Sequence, residues 1–443
     1  MKFLIVNPWI YDSSAFDFWL KPLGLLYVGE ILKKLGHEIK LIDLLDRYDS
    51  DMLEVHDPKE KKYGSGKFYS EKIAKPDVLK EIPRKFKRYG FNKEIFLKKL
   101  KENENIDGII IGITMTYWYY GGLKTIETIR KIYPDKPIFL GGVYSNLLPN
   151  HAKKIFSEFN VQVTSGAGLV GIKKLFDYYK KDLESFDWFE ETDINYDFYG
   201  PKLPYAVILS SIGCPFHCSY CVTPRLWKYR YRSKDKIIKN IENILTKKAS
   251  IKNIVFFDDA FLLRKDIEEF LSKLSGYNVN FHLPNGIHAK MVSKKIAKLL
   301  AKANFKTIRL GYETYNKNLQ KETGGKVTNE DLKNSVENLL SAGIDPEEIS
   351  AYVIINLPDQ KIEDVYKAID YCLDLGINVS LNEFTPIPTT QDYKKLVQRK
   401  MLPAEIDPLL LNNTYLPYWW KFGLNPRQIH EIKEYYIKKK SGL

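Results

Sequence analysis

The chain has 443 residues, a formal net charge of +13 and four cysteines. At roughly 100–200 residues per domain that length predicts two or three domains. With 44% hydrophobic residues and 14% aromatics it fills a real core, so global disorder is excluded. Four cysteines exclude a disulfide scaffold.

The first ~180 residues alternate strand and helix patterns, the signature of an α/β domain with a doubly wound parallel sheet. Strands are expected at Lys2–Asn7, Glu38–Leu44, Asp107–Thr114, Lys136–Leu140 and Val161–Thr164. The third, with its run Ile-Ile-Ile-Gly-Ile, reads as a strand buried on both faces. Helices are expected at Gly24–Leu35, Gly122–Tyr133 and Leu169–Lys180. About 60 residues separate the second and third strands, twice what one crossover needs, so residues 48–92 are an insertion. Residues 181–204 read as a linker. A second series follows over 205–395, with strands at Ala206–Ser210, Asn253–Phe257, Val279–Leu283, Thr307–Leu310, Ile349–Ile354 and Asn378–Leu381. Six β/α units in ~180 residues predict a partial (β/α)6 barrel of the TIM type. The tail from Pro386 onward reads as irregular and then helical from Pro426, and residues 396–443 form a C-terminal extension.

Of the 68 basic residues, 57 are lysine and 11 arginine. Nucleic-acid readers lean on arginine, so this balance argues against nucleic acid as a partner. It suits a transient acidic redox partner. No run of ~18 apolar residues is present, so no membrane span is expected. Met1-Lys2-Phe3-Leu4-Ile5-Val6-Asn7-Pro8 reads as a strand and not a signal peptide, which predicts a cytoplasmic protein.

Three cysteines lie in Gly213-Cys214-Pro-Phe-His-Cys218-Ser-Tyr-Cys221, directly after the first strand of the second series. The C-x3-C-x2-C spacing brings three thiolates together and leaves a fourth position empty. Three thiolates suit three irons of a [4Fe–4S] cluster whose fourth iron stays free for a ligand. The alternative is a zinc site with His217 or a distant group as the fourth ligand, although structural zinc usually takes paired C-x2-C units. Cys372 lies in a helical pattern and reads as a small core residue.

With Tyr220 just before the last cysteine, this motif resembles that of the radical S-adenosylmethionine (SAM) superfamily. The resemblance implies Cys214, Cys218 and Cys221 as cluster ligands, SAM as second cofactor, and oxygen-sensitive chemistry through a 5′-deoxyadenosyl radical. It implies SAM contacts from Asp258 and Asp259, from Arg309, Gly311 and Glu313, and from Ile355 and Pro358, each group ending a strand. Against these stand plainer readings: a turn or cap for one aspartate, and a surface position for Glu313. An arginine of the run Arg225 to Arg232 is a further candidate for an anion. Tyr415, Tyr418, Trp419 and Trp420 either line an apolar pocket or dock the C-terminal segment. One spare cysteine is too few for an auxiliary cluster.

A doubly wound domain before the barrel resembles the cobalamin-binding-domain subgroup of that superfamily. The resemblance rests on Val6-Asn7-Pro8, Lys21 to Tyr27, Gly36-His37-Glu38, Gly112-Ile-Thr114-Met-Thr116 and Leu140-Gly141-Gly142. It implies cobalamin held near Thr114, Thr116, Gly141 and Gly142, while a loop that simply needs glycine explains the last two equally well. No D-x-H-x-x-G follows the first strand, so a histidine ligand for cobalt is lacking there, and His56 is misplaced for it. Tyr117 to Tyr120 would stack on the corrin or fill its space. Gly166-x-Gly168-x-x-Gly171 follows the fifth strand and reads as a tight turn, not a dinucleotide site.

The implied function is C–H activation on a small-molecule, lipid or peptide substrate, with cobalamin-dependent methylation of an unactivated carbon as its leading form. A reducing partner such as flavodoxin or ferredoxin would supply electrons. The alternatives are a cobalamin-free radical SAM cyclase or isomerase and, in a different class, a zinc-holding RNA-binding module.

Overall fold

A computed structural model of the chain describes residues 1–442. The chain divides into two compact units. The first comprises residues 1–206, 239–251 and 407–410, and the second residues 207–238, 252–406 and 411–443.

The first unit carries β1 (Lys2–Asn7), β2 (Ile10–Asp12), β3 (Glu38–Asp43), β4 (Ser70–Lys72), β5 (Lys87–Tyr89), β6 (Gly108–Gly112), β7 (Ile138–Gly141) and β8 (Val161–Val163). Five of them form a parallel sheet in the order β3-β1-β6-β7-β8. Ile109 and Ile111 are fully buried and Ile110 nearly so, as a strand covered on both faces requires. On one face Phe3, Ile5, Ile110 and Phe139 pack with Leu25, Ile31, Ile172 and Phe176 from the helices 23–34 and 169–178. The strand order reverses between β1 and β6, where open α/β sheets bind their ligands.

The 48–92 insertion is more ordered than its composition suggests. β4 and β5 pair antiparallel, and β5 pairs β2, which lies in the loop after Pro8. Each strand has only three residues, too short for the alternation that marks a strand in sequence. Residues 181–204 are also not a loose linker. Phe189, Ile194, Tyr196, Tyr199 and Leu203 are buried, and the Tyr199 hydroxyl donates to Asp43 Oδ2 at 2.8 Å.

The remaining strands are β9 (Tyr205–Ile208), β10 (Ser211–Ile212), β11 (Arg230–Tyr231), β12 (Asn253–Phe256), β13 (Asn280–His288), β14 (Phe305–Glu313), β15 (Ile349–Ile355) and β16 (Asn378–Glu383). The sheet order is β9-β12-β13-β14-β15-β16, with β12 through β16 parallel. β10 and β11 form a small antiparallel pair. β13 runs five residues beyond its expected end, because the ladder breaks at Pro284 and Gly286 and then resumes at Ile287. Helix 391–398, capped by Thr390 accepting from Tyr393 N–H, lies in the tail read as irregular. Cys372 is fully buried in helix 362–374. Among the described residues no helix is long and apolar enough to cross a membrane.

Candidate active site

The cysteine loop leaves the sheet at the carboxyl end of β9. Gly213 takes φ +76°, and a Cβ there would meet the Trp227 carbonyl at 2.7 Å, so only glycine opens the loop in this way. The backbone turns between Cys218 and Cys221, whose N–H donates to the Cys218 carbonyl at 3.0 Å. All three cysteines are free thiols. Burial pushes the Cys214 thiol up to about 11 and raises Cys218 as well, against the pull of the Lys326 ammonium.

Three carboxylates tether this loop. Asp258 is buried and accepts from the Ser210 and Ser211 hydroxyls, both at 2.6 Å, and from Ser210 N–H at 3.0 Å. Asp259 accepts from the Thr223 hydroxyl at 3.3 Å and from Gly213 N–H. Burial and then the Asp258 charge push Asp259 up to about 6. Asp392 accepts from the Ser219 hydroxyl at 2.9 Å, and its N–H donates to the Ser219 carbonyl. Asp258 thus takes three hydrogen bonds from the chain itself. Asp259 at the end of β12 is only partly enclosed.

The end of β14 supplies a buried ion pair. A register shift between Gly311 and Glu313, with Glu313 at φ +75°, turns the Glu313 carboxylate onto Lys326 Nζ at 2.8 Å. Lys326 Nζ also lies 5.7 Å from the Tyr220 ring centre. Burial works against the Lys326 ammonium, but Glu313 and the Cys218 thiol outweigh it and hold its pKa above the ordinary lysine value. Burial and then the Glu313 carboxylate raise the Tyr220 hydroxyl. Gly311 leaves room beside the pair, since a Cβ there would sit 3.4 Å from Lys326 Nζ. Arg309 donates to the Ser350 hydroxyl and lies beside Tyr352, whose hydroxyl bonds the Pro284 carbonyl.

His288, at the resumed end of β13, places Nε2 3.8 Å from Cys214 Sγ and stacks on Phe216 at 4.7 Å. Burial first, and Lys326 second, lower it to about 4, so its ring is neutral near pH 7. Gly324 lies against Cys218 from the far side: a Cβ there would meet Cys218 Cα at 3.1 Å and Sγ at 3.3 Å. Among the described residues no three His, Cys, Asp or Glu side chains are gathered as ligands of a single metal ion. Cluster thiolates each bind a different iron and need not converge on one point.

Ile355 is fully buried and Pro358 partly so; between them Asn356 takes φ +71° and accepts from Leu424 N–H at 2.6 Å. Arg225 is exposed, as is Lys228. Tyr415 and Trp420 are buried, and Trp420 packs with Leu396, Met401, Leu402 and Leu416, with Tyr220 against the same cluster. Tyr415 and Trp420 thus dock the C-terminal segment, while Trp419 and Trp420 also line a cavity with Met401, Leu402 and Phe422, and Tyr418 is exposed.

In the first unit, Thr114 and Gly142 are exposed at the ends of β6 and β7, while Thr116 is buried. Gly142 is required by the chain itself: φ is +100°, and a Cβ would meet the Ile113 carbonyl oxygen at 2.4 Å. Gly141 has more room, its nearest neighbour being Thr164 Oγ1 at 3.2 Å. Beside them a crevice at the β1/β6 reversal is lined by Asn7, Trp9, Lys21, Gly112, Thr114 and Trp118. Trp118 donates to Asp12 at 3.0 Å, and Tyr119 is buried on Tyr144 and bonded to Asp407. Tyr120 packs edge-on against Tyr11 at 5.5 Å. Gly166 and Gly168 have positive φ and lead straight into helix 169–178.

Residues 208–395 match the family model described as the Radical SAM superfamily. The barrel is a radical SAM domain. Such a domain works with a [4Fe–4S] cluster and SAM. An uncharacterised methyltransferase of Pyrococcus horikoshii is 25% identical over 206 residues, 45% of this chain and 44% of that protein. The anaerobic magnesium-protoporphyrin IX monomethyl ester cyclase of Cereibacter sphaeroides is 24% identical over 294 residues, 62% of this chain and 48% of that protein. The chain thus spans about half the length of these curated relatives. Among solved structures, the radical SAM methyltransferase TsrM of Kitasatospora setae, with cobalamin and a [4Fe–4S] cluster bound, has the same fold. Its TM-score is 0.67 at 14% identity, over 98% of this chain and 90% of that one. The cobalamin-dependent radical SAM enzyme OxsB with aqua-cobalamin gives 0.65 at 13%, over 99% and 71%.

Around the radical SAM motif, sequence reasoning missed Lys326, His288, Gly324 and Asp392. The pair Gly324-Gly325 just before Lys326 was the available signal for a close backbone approach.

Proposed function

We propose that the chain is a radical SAM enzyme that activates a C–H bond, with cobalamin as a third cofactor and methyl transfer to carbon as its reaction. The observation that carries this reading is the loop of three free cysteines, tethered at the carboxyl ends of the barrel strands inside the radical SAM match. Cys214, Cys218 and Cys221 fit a cluster: three soft donors on one loop, with the Lys326 cation near them to offset thiolate charge. A cluster held by these cysteines would supply the one-electron reduction of SAM needed for hydrogen abstraction from the substrate. Asp259, partly open at the end of β12, is placed to hold an ammonium group. Glu313 and Arg309 frame the polar side of the same strand ends, and Ile355 to Pro358 offer backbone for a flat base. Asp258 already accepts three hydrogen bonds from Ser210 and Ser211, so Asp259 is the freer of the two for SAM.

For cobalamin the fit rests on the crevice at the β1/β6 reversal and the exposed lip of Thr114 and Gly142. Tyr119 is buried away from that lip and Tyr120 packs on Tyr11, while Trp118 lines the crevice itself. The likeness to TsrM and OxsB in fold supports the same assignment. The domains we assign are the cobalamin-type domain at residues 1–180 and the barrel at 205–395. A low-potential one-electron donor such as flavodoxin or ferredoxin would serve the cluster.

Anaerobic purification from cobalamin-supplied cells tests both parts. Expected are iron and sulfide near four per chain and cobalamin near one per chain, by the stoichiometry of one cluster and one corrin. Zinc in place of iron overturns the enzyme reading. An intact cluster with SAM cleavage but no corrinoid leaves the cobalamin-free cyclase or isomerase. Cys218→Ala is expected to abolish 5′-deoxyadenosine formation.

A further inference from the structure

Lys326 and Glu313 form a buried ion pair whose side chains retain only 18% and 10% exposure. Taking two charges out of water costs several kcal/mol per ion, and a well-packed apolar pair is often as stable. Fold stability alone therefore does not account for a lysine here. Its surroundings do. Gly324 brings the backbone two residues before Lys326 against Cys218, and the ammonium lies 5.7 Å from the ring of Tyr220, the neighbour of Cys221. Gly311 has no side chain to crowd it. The cation lies within electrostatic reach of the Cys218 thiol, and its carboxylate partner Glu313 comes from the end of β14.

We infer that Lys326 and Glu313 set the reduction potential of the cluster as an opposed pair of buried charges, the lysine raising it and the glutamate lowering it. The inference rests on the cluster reading above. Reduction adds one electron to a centre already made anionic by three thiolates. A cation held close by in a low-dielectric setting stabilises that added charge, and an anion disfavours it. The pair is fixed by its own contact, so neither charge can be replaced by water without reorganising the loop after β14. Lys326 is thus a positioning and tuning residue that acts through the cluster.

The test is an EPR-monitored redox titration of the full chain with its cluster reconstituted, in the absence of SAM. Lys326→Gln is expected to move the midpoint to a more negative potential, and Glu313→Gln to a more positive one. Lys326→Arg, which keeps the charge, is expected to stay near wild type. Opposite shifts are a signature that a merely structural role would not produce. Midpoints that stay put in both glutamine variants, or move the same way, overturn the inference. Should Lys326→Gln fail to hold a cluster, Glu313→Gln and Lys326→Arg still decide it, because a wild-type midpoint in Glu313→Gln overturns it. A wild-type chain that takes up no iron and sulfide instead overturns the cluster reading, a result distinct from an assembled cluster indifferent to these charges.

Discussion

Gly324 and Gly325 are adjacent, both have positive φ, and they should respond very differently to alanine. Gly325 has φ +62° with nothing within 4 Å of a Cβ. Alanine there bears only the left-handed penalty, about 1–2 kcal/mol. Gly324 has φ +123°, outside the left-handed well, which costs about 1–3 kcal/mol. Its Cβ would also press on Cys218, at 3.1 Å from Cα and 3.4 Å from N. Those are backbone atoms that can yield only by moving the loop, and overpacking of that kind adds about 1–3 kcal/mol. Gly324→Ala is therefore expected to lose roughly 2–6 kcal/mol on summing those two ranges, and to displace one cluster ligand as well. The assay pairs a urea titration of the metal-free protein with iron per chain after anaerobic reconstitution. Gly325→Ala should lower the midpoint slightly and keep wild-type iron. Gly324→Ala should lower it more and lose iron. Equal stability and equal iron in the two variants would refute the assigned contact between Gly324 and Cys218.

Asp259 carries a pH prediction. Its folded value of about 6 lies above the ordinary 3.8, so it takes up a proton on folding. Its contribution to stability is full below about pH 4 and is lost as pH rises through about 6, an effect of roughly 3 kcal/mol. The metal-free Asp259→Asn variant should lack that slope, so its stability difference from wild type should change between pH 4 and 7; parallel stability curves over that range would count against it. Asp392→Ala strands the buried Ser219 hydroxyl, at about 1–3 kcal/mol, and should speed iron loss to a chelator. An unchanged rate would mean that the tether does not hold the loop. Gly142→Ala drives a Cβ into the Ile113 carbonyl and should cost about 3 kcal/mol or more and reduce corrinoid uptake. Wild-type stability in that variant would contradict the strand-end geometry.

The fold was legible wherever a strand is long and buried. β6 announces itself as an unbroken apolar run, and helix 329–341 begins at a Thr328 capping box that its sequence spells out. Three-residue strands such as β2 and β5 carry no period, and their pairing is settled by tertiary contacts. In the site, the cysteines were legible because their spacing is local. Lys326 was not, because the Gly324-Gly325 pair before it marks a turn without saying that one lysine among 57 lies 2.8 Å from Glu313. His288 was hidden by the Pro284–Gly286 interruption, which looks like a strand end and is a bulge.

The tethers of the cysteine loop also bear on when that loop can be held in place. Ser219 and Asp392 are 173 residues apart, and Ser210 and Asp258 are 48 apart. As the chain leaves the ribosome, the three cysteines emerge long before the aspartate that fixes their loop has been made. Until then only the Asp258 and Asp259 contacts can hold the loop. Complete tethering of the cysteine loop therefore requires chain from both ends of the barrel, so a truncation before Asp392 would leave the loop without its Ser219 anchor.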